Sequence, residues 1–398
     1  MKTLIALTLV TVLAAGCTSE TSEKSDEPVS SAEDVQPAIT ELPRNCEGIG
    51  AARTEITFIE KGRLFSSRPN GSRVRCLVKA REGQDLRWGP AADRAFLFTS
   101  LGGRMLLPDL ERTDRLDYIP QAIPQGWSRP QGTAFLWVSP DNTELVKVDA
   151  ATGDVTNVTF LARTDEAIYH PAGEHILAVG EDDEGRYGIF MATNEGTEPQ
   201  LLVLSEDAKR IYSMSFGRSG SLFYAAEHET HYDAHEVTFG QMGDTGEIQT
   251  ELKTLYSSPH PISKVVVSPF ENRPPVAIQV GTEDGNSCPS RTLIWTKKLG
   301  AVSFRDMSDA KRANIYGDVD DPVLSDKLDE SSTEPIGWLP RGQLVVRTLG
   351  EDCDSTEGVY EWSPLTPKLL LEGARAVAVR APYPEPPPPP EQELEVVA

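Results

Sequence analysis

A short phrase that recurs at intervals near forty residues predicts an all-β fold, organised as a single β-propeller. The clear copies join an aromatic or aliphatic residue, a Pro, a Gly or Asp turn and an apolar strand, and the other copies are looser. Pro90, Pro130 and Pro171 are 40 and 41 residues apart. The chain of 398 residues also contains 31 Gly and 30 Pro, an excess of turn-forming residues that is typical of many short strands.

The number of copies predicts the number of blades. The phrase occurs at residues 86–98, 126–137, 168–179, 214–224, 265–270 and 336–346. Residues 55–78 supply three strands without the phrase, and residues 374–380 supply a lone strand after the last blade. Pairing these two ends in one blade closes the ring and leaves no open sheet edge. We therefore expect seven four-stranded blades, with six or eight as the alternatives.

This aromatic–Pro–turn–strand phrase resembles the repeats of bacterial TolB-like and WD-repeat-like propellers. The resemblance extends over about residues 50 to 380 and is one of fold, because the repeats are degenerate. It implies an architecture rather than an activity, since one fold supports many unrelated functions.

The first residues are typical of an export signal. Met1 and Lys2 precede an apolar run at residues 3–13, which is too short to span a bilayer core of about 30 Å. Small residues at 14–16 are followed at once by Cys17, and this order resembles a bacterial lipobox. The resemblance implies that residues 1–16 are a lipoprotein signal peptide and that acyl chains such as palmitate on Cys17 anchor the protein in a membrane. The alternative is ordinary secretion with a chance Cys.

Two polar segments are expected to flank the propeller domain at residues 46–380. Residues 17–45 contain the lipidated Cys and an acidic tether that is too poor in apolar residues to offset its ordering entropy. Thr18 stands where an Asp would resemble an inner-membrane retention signal, so the outer membrane of a bacterial envelope is favoured. Residues 381–398 are Pro-rich and predict a disordered, extended tail, or alternatively a ligand for a proline-reading partner.

The remaining cysteines predict two disulfide bonds, because an even number in an oxidising compartment is typical of paired thiols. Cys288 and Cys353 fall in equivalent loops of neighbouring blades. Cys46 precedes the first strand, and Cys76 lies in the outermost strand of the same blade. We expect the pairs Cys46–Cys76 and Cys288–Cys353, with four free thiols as the alternative.

The candidate site residues fall in loops that share one face of a propeller. His228, His231 and His235 are spaced 3 and 4 apart and would share one side of a helix, which makes them candidate transition-metal ligands. The alternative is a solvated polar loop. Candidate binding residues on the same face are the acidic side chains of Glu181, Asp182, Asp183, Asp318, Asp320 and Asp321.

Composition and motifs restrict the function. Lys and Arg number 38 and Asp and Glu 61, and this net charge of −23 disfavours nucleic-acid binding. The sequence has no nucleophile elbow, no Gly-rich phosphate loop and no quinoprotein tryptophan signature, so we expect no cofactor. A membrane-anchored envelope lipoprotein whose loop-rich face binds a protein or a cell-envelope partner is favoured. The alternative is a metal-dependent hydrolase or lyase, which convergent carboxylates and histidines at the channel mouth would distinguish.

Overall fold

The computed structural model describes residues 42–384, except 82, 100–101, 107–114, 117–122, 130, 206, 243–247, 284–285, 317–323, 352, 354 and 366–367. The first half of the chain forms β1 (Glu55–Glu60), β2 (Arg63–Ser67), β3 (Arg75–Lys79), β4 (Asp85–Trp88), β5 (Ala95–Thr99), β6 (Gly102–Leu106), β7 (Arg115–Leu116), β8 (Ile123–Trp127), β9 (Ala134–Val138), β10 (Leu145–Asp149), β11 (Val155–Asn157), β12 (Arg163–Tyr169), β13 (His175–Glu181), β14 (Tyr187–Thr193) and β15 (Gln200–Leu204). The second half forms β16 (Arg210–Phe216), β17 (Leu222–Glu227), β18 (Tyr232–Met242), β19 (Ile248–Ser258), β20 (Ile262–Val267), β21 (Val276–Glu283), β22 (Asn286–Thr296), β23 (Gly300–Val302), α1 (Phe304–Tyr316), α2 (Leu324–Glu330), β24 (Ser332–Trp338), β25 (Leu344–Leu349), β26 (Thr356–Trp362), β27 (Lys368–Glu372) and β28 (Arg375–Arg380).

These strands form seven four-stranded antiparallel sheets in a ring, which confirms the predicted seven-bladed propeller. Blade 1 has the order β28-β1-β2-β3, so the last strand of the chain is the innermost strand of the first blade. Glu55 pairs with Arg380 and Ile56 with Val379 across this junction. Blades 2 to 7 each consist of four consecutive strands. The two chain ends therefore share one blade, as the sequence predicts.

The hydrophobic core lies between successive blades rather than at a single centre. Leu177 and Val179 of blade 4 pack with Ile211 and Leu222 of blade 5 in one cluster, and all four side chains are buried. Second strands such as β13 are buried on both faces, because each blade is covered by two neighbours. Each such side chain contributes about 1.5–3 kcal/mol relative to an exposed one, so the ring is stabilised blade by blade.

The turn of the recurring phrase joins the first and second strands of a blade. In blade 4 the turn follows Tyr169, the Gly173 amide donates to the His170 carbonyl at 2.8 Å, and the chain then enters β13. Gly173 has a φ of +81°, a conformation that favours glycine. Pro171 cannot continue the preceding strand, so the phrase specifies where the chain reverses.

Both predicted disulfide bonds are present. Cys46 and Cys76 have α-carbons 4.4 Å apart, and those of Cys288 and Cys353 are 6.2 Å apart. The first bond holds residues 46–48 alongside β3, where the Glu47 amide donates to the Cys76 carbonyl at 3.0 Å. This segment therefore covers part of the outer edge of blade 1. The second bond links Cys288, near the start of β22 in blade 6, with Cys353 in the loop between β25 and β26 of blade 7.

The connection between blades 6 and 7 contains α1 and α2, which the sequence analysis did not predict. Phe304, Met307 and Leu328 are buried, and they pack in a cluster with Trp338 and Trp362. The helices therefore cover the junction between these blades. The candidate binding residues Asp318, Asp320 and Asp321 lie outside the described residues. No helix of the described residues is both long and apolar enough to cross a membrane.

The two ends of the ring extend beyond the predicted boundaries. Leu42, assigned to the tether, packs against the core cluster of blades 1 and 7. Ala381, assigned to the tail, is 4% exposed. Because these side chains bury apolar surface, the folded region begins by residue 42 and includes residues 381–384. The predicted signal peptide, Cys17, the rest of the tether and residues 385–398 lie outside the described residues.

Candidate functional site

The innermost strands of all seven blades surround an axial cavity of about 480 Å³. Each of these strands starts at the face that carries the second-to-third-strand loops and the connections between blades. We call this face the top face and the opposite one the bottom face. The first residues of each inner strand therefore lie at the top of the cavity, and the last residues lie near the bottom.

The segment after β28 lies across the bottom of the cavity. The Tyr383 amide donates to the Pro90 carbonyl at 2.8 Å, and the Arg129 guanidinium lies 4.5 Å from the centre of the Tyr383 ring. The same ring contacts Phe270 at 6.1 Å between centroids. These contacts join blades 2, 3 and 6, so Tyr383 restricts access from the bottom face. The more open approach to the cavity is from the top face.

Aromatic side chains line the lower half of the axial cavity. Trp88, Trp127, Tyr169, Phe216 and Trp338 lie at the ends of their inner strands. The Trp88 indole donates to the Thr57 hydroxyl at 2.8 Å, and the Trp338 indole donates to the Val266 carbonyl at 2.9 Å. These hydrogen bonds fix both rings. The lower cavity is therefore an apolar, largely preformed surface.

Basic side chains outnumber acidic ones around the axial cavity and the cavity beside it. A second cavity of about 390 Å³ adjoins the axial cavity at Gln125, which lines both. Seven basic and three acidic side chains line the two cavities: Arg87, Arg129, Arg163, Lys209, Arg210, Lys264 and Arg347, against Asp85, Asp165 and Glu334. This excess contrasts with the net charge of −23 of the whole chain. A wall of cations in a concave site focuses a positive potential there.

Two of these cations hold one carboxylate. Lys264 Nζ lies 2.8 Å from Glu334 Oε1, and Arg347 Nε lies 2.6 Å from Glu334 Oε2. Burial opposes ionisation of Glu334, but the two cations outweigh it and hold the pKa of this carboxyl below its ordinary value. One of the two positive charges remains unbalanced. The trio therefore presents a fixed positive charge at the mouth of the cavity.

Glu166 lies between the axial and the adjoining cavity. Its carboxylate accepts the amides of Ser213 and Met214 at 2.7 and 2.8 Å. Burial raises the pKa of Glu166, while these hydrogen bonds and the nearby Arg87 and Arg210 oppose the rise. Arg87 donates to the Gln125 carbonyl at 2.7 Å, interacts electrostatically with the Asp85 and Glu166 carboxylates, and is exposed. It can therefore bind an anion.

The ion trio around Glu334 predicts a pH-dependent contribution to stability. We expect Glu334→Gln to lower the free energy of unfolding at pH 7 by about 1–3 kcal/mol, because two charged hydrogen bonds are lost. The pKa of Glu334 is lower in the folded protein, so this contribution is present above the unfolded value of about 4.3 and is lost as the pH falls through the folded value. Urea unfolding between about pH 7 and pH 3 measures it. Glu357→Gln, at an exposed position, serves as control, and a difference that stays constant with pH would contradict the assignment.

Of the acidic residues that were predicted to bind a partner, Asp182 stabilises its own loop. The Asp182 carboxylate accepts the amides of Glu184 and Arg186 at 3.0 and 2.9 Å and the Arg186 guanidinium at 2.8 Å. Glu181 lies 3.7 Å from Arg163. Asp183 is exposed. The structure therefore gives Asp182 a role in the turn, and the convergent charges at the cavity mouth are cationic instead.

Sequence reasoning missed the basic residues of the cavity because no local pattern marks them. Arg87, Arg210 and Lys264 come from three different blades and are more than 50 residues apart in the sequence. Their one shared property in the sequence is that each lies on the first strand of a blade. This property can identify them only after the blades have been aligned with one another.

The three candidate histidines come together, but on a β-hairpin rather than a helix. His228 and His231 lie in the turn between β17 and β18, and His235 lies within β18. Side chains two residues apart share one face of a strand, so His231, Asp233 and His235 point the same way. Asp233, which the sequence analysis did not select, is therefore part of the group. Burial lowers the pKa of His235, and Asp233 opposes this shift.

The histidine group does not lie at the channel mouth that would mark the enzyme alternative. Among the described residues, the side chains that line the axial and adjoining cavities include no His. Asp165 there is paired with Arg163 at 3.1 Å, and Glu334 is paired with Lys264 at 2.8 Å. The arrangement can bind a negatively charged group, and within the described part of the chain these cavities do not bring carboxylates and histidines together.

The fold and these cavities define a seven-bladed β-propeller with a basic, aromatic axial site. No protein-family model matches the sequence, and a comparison with the curated proteins gives no match either. Solved structures with a similar fold include TolB from Acinetobacter baumannii, at 13% identity and a TM-score of 0.41 over 84% of this chain and 68% of that one. A second TolB structure, from Agrobacterium tumefaciens, is 14% identical, with a TM-score of 0.39 over 53% of this chain and 80% of that one.

An oligogalacturonate lyase from Vibrio parahaemolyticus is also similar. It is 10% identical, with a TM-score of 0.48 over 82% of this chain and 89% of that one. At these identities the comparisons concern the fold alone. They carry no argument about activity.

Proposed function

We propose that this protein is a lipid-anchored binding protein of the bacterial cell envelope, whose propeller binds an anionic group of a protein or envelope partner at the top of the axial cavity. The partner presents carboxylates or phosphates. The observation that carries this proposal is the excess of basic side chains in the two joined cavities of a strongly acidic protein. An acidic partner is repelled by most of the surface, so binding is confined to this mouth.

The closed bottom supports binding rather than passage through the ring. Tyr383 and Arg129 lie across the bottom of the cavity, and the aromatic rings of the lower half provide an apolar surface below the cations. A chain end or side group that enters from the top first meets Arg87, Lys264 and Arg347. A ligand with an acidic group and a short apolar portion would place the acidic group at the cations and the apolar portion against the aromatic rings below them.

Titration with defined anions tests the binding proposal. The purified full chain is titrated calorimetrically with a glutamate-rich peptide, a uronic-acid oligomer and inorganic phosphate, at about 50 mM and about 200 mM salt. We expect saturable binding of at least one of these probes, weakened at the higher salt. The peptide and the oligomer distinguish a protein partner from an envelope polymer. Absence of binding by all three at low salt would refute the proposal.

Cys17 carries the anchoring part of the proposal. We expect Cys17→Ala to abolish metabolic palmitate labelling and to move the protein from the membrane to the soluble fraction, because multiple acyl chains hold a protein far more firmly than polar contacts do. Ser19→Ala is the control and should leave both properties unchanged. Palmitate labelling that persists in Cys17→Ala would refute the lipoprotein assignment. It would leave the proposal of anion binding at the cavity untouched.

A further inference from the structure

The hairpin between β17 and β18 gathers four potential metal ligands at the top face. His231, Asp233 and His235 alternate along one chain, and His228 lies across the turn, where its amide donates to the His231 carbonyl at 2.9 Å. The rings of His228 and His231 are stacked at 4.4 Å with an angle of 5°. All four side chains therefore converge from two adjacent strand ends.

The distances within this group match those between ligands of one metal ion. Asp233 Oδ2 lies 3.5 Å from His228 Nε2, 3.4 Å from His231 Nε2 and 3.7 Å from His235 Nε2. These contacts are long for hydrogen bonds. Metal–ligand bonds of 2.0–2.1 Å in a tetrahedron place the ligand atoms about 3.4 Å apart. One ligand atom from each of His228, Asp233 and His235 lies within 4.8 Å of the others.

Two buried atoms of the group lack a hydrogen-bond partner among the described residues. They are His228 Nε2 and Asp233 Oδ1, and Asp233 is only 8% exposed. Leaving a buried donor or acceptor unsatisfied costs about 1–3 kcal/mol, so this arrangement is unfavourable unless a ligand compensates for it. A metal ion bound between these side chains would do so.

The outer contacts orient the imidazoles for metal binding. His235 Nδ1 is 3.2 Å from the Thr254 hydroxyl, and His231 Nδ1 is 3.3 Å from the Thr230 hydroxyl. When Nδ1–H donates to such an oxygen, Nε2 carries the free lone pair. Partners of this kind typically fix the tautomer and the ring orientation of metal-binding histidines. Both Nε2 atoms then face Asp233.

We propose that His228, Asp233 and His235, completed by the more exposed His231, bind one divalent first-row transition-metal ion. Imidazoles with a single carboxylate suit Zn²⁺ and its neighbours, whereas Ca²⁺ and Mg²⁺ require mostly oxygen ligands. Four protein ligands complete the coordination sphere, and no His of the described residues lines the axial or the adjoining cavity. The ion therefore holds the tip of this hairpin in place. The site is independent of anion binding at the cavity mouth.

Equilibrium dialysis and calorimetry of the tag-free full chain test this site. The metal-stripped protein is titrated separately with Zn²⁺, Mn²⁺, Co²⁺, Ni²⁺ and Ca²⁺. We expect one equivalent of a transition metal to bind, intense visible bands of a four-coordinate Co²⁺ complex, and no comparable binding of Ca²⁺. Failure of all four transition metals to bind at one equivalent, or preference for Ca²⁺, would overturn the proposal.

Variants locate the bound ion. We expect His228→Ala, His235→Gln and Asp233→Asn each to weaken metal binding by at least about 100-fold. Mutating a residue that only hydrogen-bonds to a metal ligand already lowers metal affinity by about 10- to 100-fold. His231→Ala changes a side chain that is 44% exposed and tests the fourth ligand. His175→Ala, at the start of β13, is the matched control and should bind normally. Unchanged affinity in His228→Ala and His231→Ala would place the ion elsewhere.

Discussion

Arg380→Met is expected to lower the free energy of unfolding by about 3–5 kcal/mol, since breaking a buried ion pair leaves its partners uncompensated. Arg380 is fully buried, and its Nη1 lies 2.9 Å from Glu55 Oε2. Its nitrogens also donate to four backbone carbonyls, those of Ile49, Gly50, Ala51 and Ala92. The guanidinium lies 4.3 Å from the centre of the Trp88 ring. One side chain therefore joins the last strand to blades 1 and 2.

Chemical denaturation followed by tryptophan fluorescence measures this effect. Arg380→Lys should recover only part of the loss, because an ammonium cannot reproduce the planar set of five donors. Arg305→Met is the matched control: its side chain is 65% exposed and its ion pairs with Asp309 and Asp326 are 4.0 and 3.7 Å long, so no more than about 1 kcal/mol should be lost. If Arg380→Met and Arg305→Met lowered the free energy of unfolding by similar amounts, Arg380 would not be a special contributor to closure of the ring.

The second large effect is expected at the cavity mouth. Replacing Arg87 by Gln together with Arg210 by Glu should weaken binding of whichever anionic probe binds by about 10- to 100-fold, because charges at a binding site govern both steering and retention. Both side chains are exposed to solvent, and both lie close enough to influence the Glu166 carboxyl. The loss should shrink at high salt as screening removes the electrostatic contribution.

A control with the same change of charge separates a local from a global effect. Lys297→Gln with Lys298→Glu alters the turn between β22 and β23, which lies at the bottom face, and both lysines are exposed. This variant should bind the probe almost as the wild type does. Equal weakening in the two double variants would mean that net charge, rather than the cavity mouth, controls binding.

The propeller fold could be predicted from the sequence because the residues that form the turn recur from blade to blade. In the phrase around Pro171 and Gly173, Pro ends a strand and Gly adopts a positive φ, so local chemistry specifies a reversal wherever the phrase occurs. Counting the phrases and adding the divided blade gives seven. The disulfide pairing followed from the same alignment, which put Cys288 and Cys353 at corresponding positions of adjacent blades.

The prediction that His228, His231 and His235 are metal ligands assumed a helix. The three histidines were selected by their spacing of 3 and 4, which would align them on a helix. The hairpin instead aligns residues two apart, so the strand brings in Asp233 and places His228 opposite through the turn. The residue types pointed to a transition metal, but the secondary structure decides which neighbours complete the group.

The number of blades, the closure of the ring by its two ends and the disulfide partners could be predicted from the sequence, because each follows from short-range turn chemistry or from repeat register. The place where positive charge accumulates could not. Arg87, Arg210, Lys264 and Arg347 are distant in the chain and unremarkable among 38 basic residues. The ring brings them together, since Arg87, Arg210 and Lys264 lie on inner strands around one axis and Arg347 lies on the neighbouring strand β25. A site assembled from one or two side chains per blade leaves no contiguous motif in the sequence.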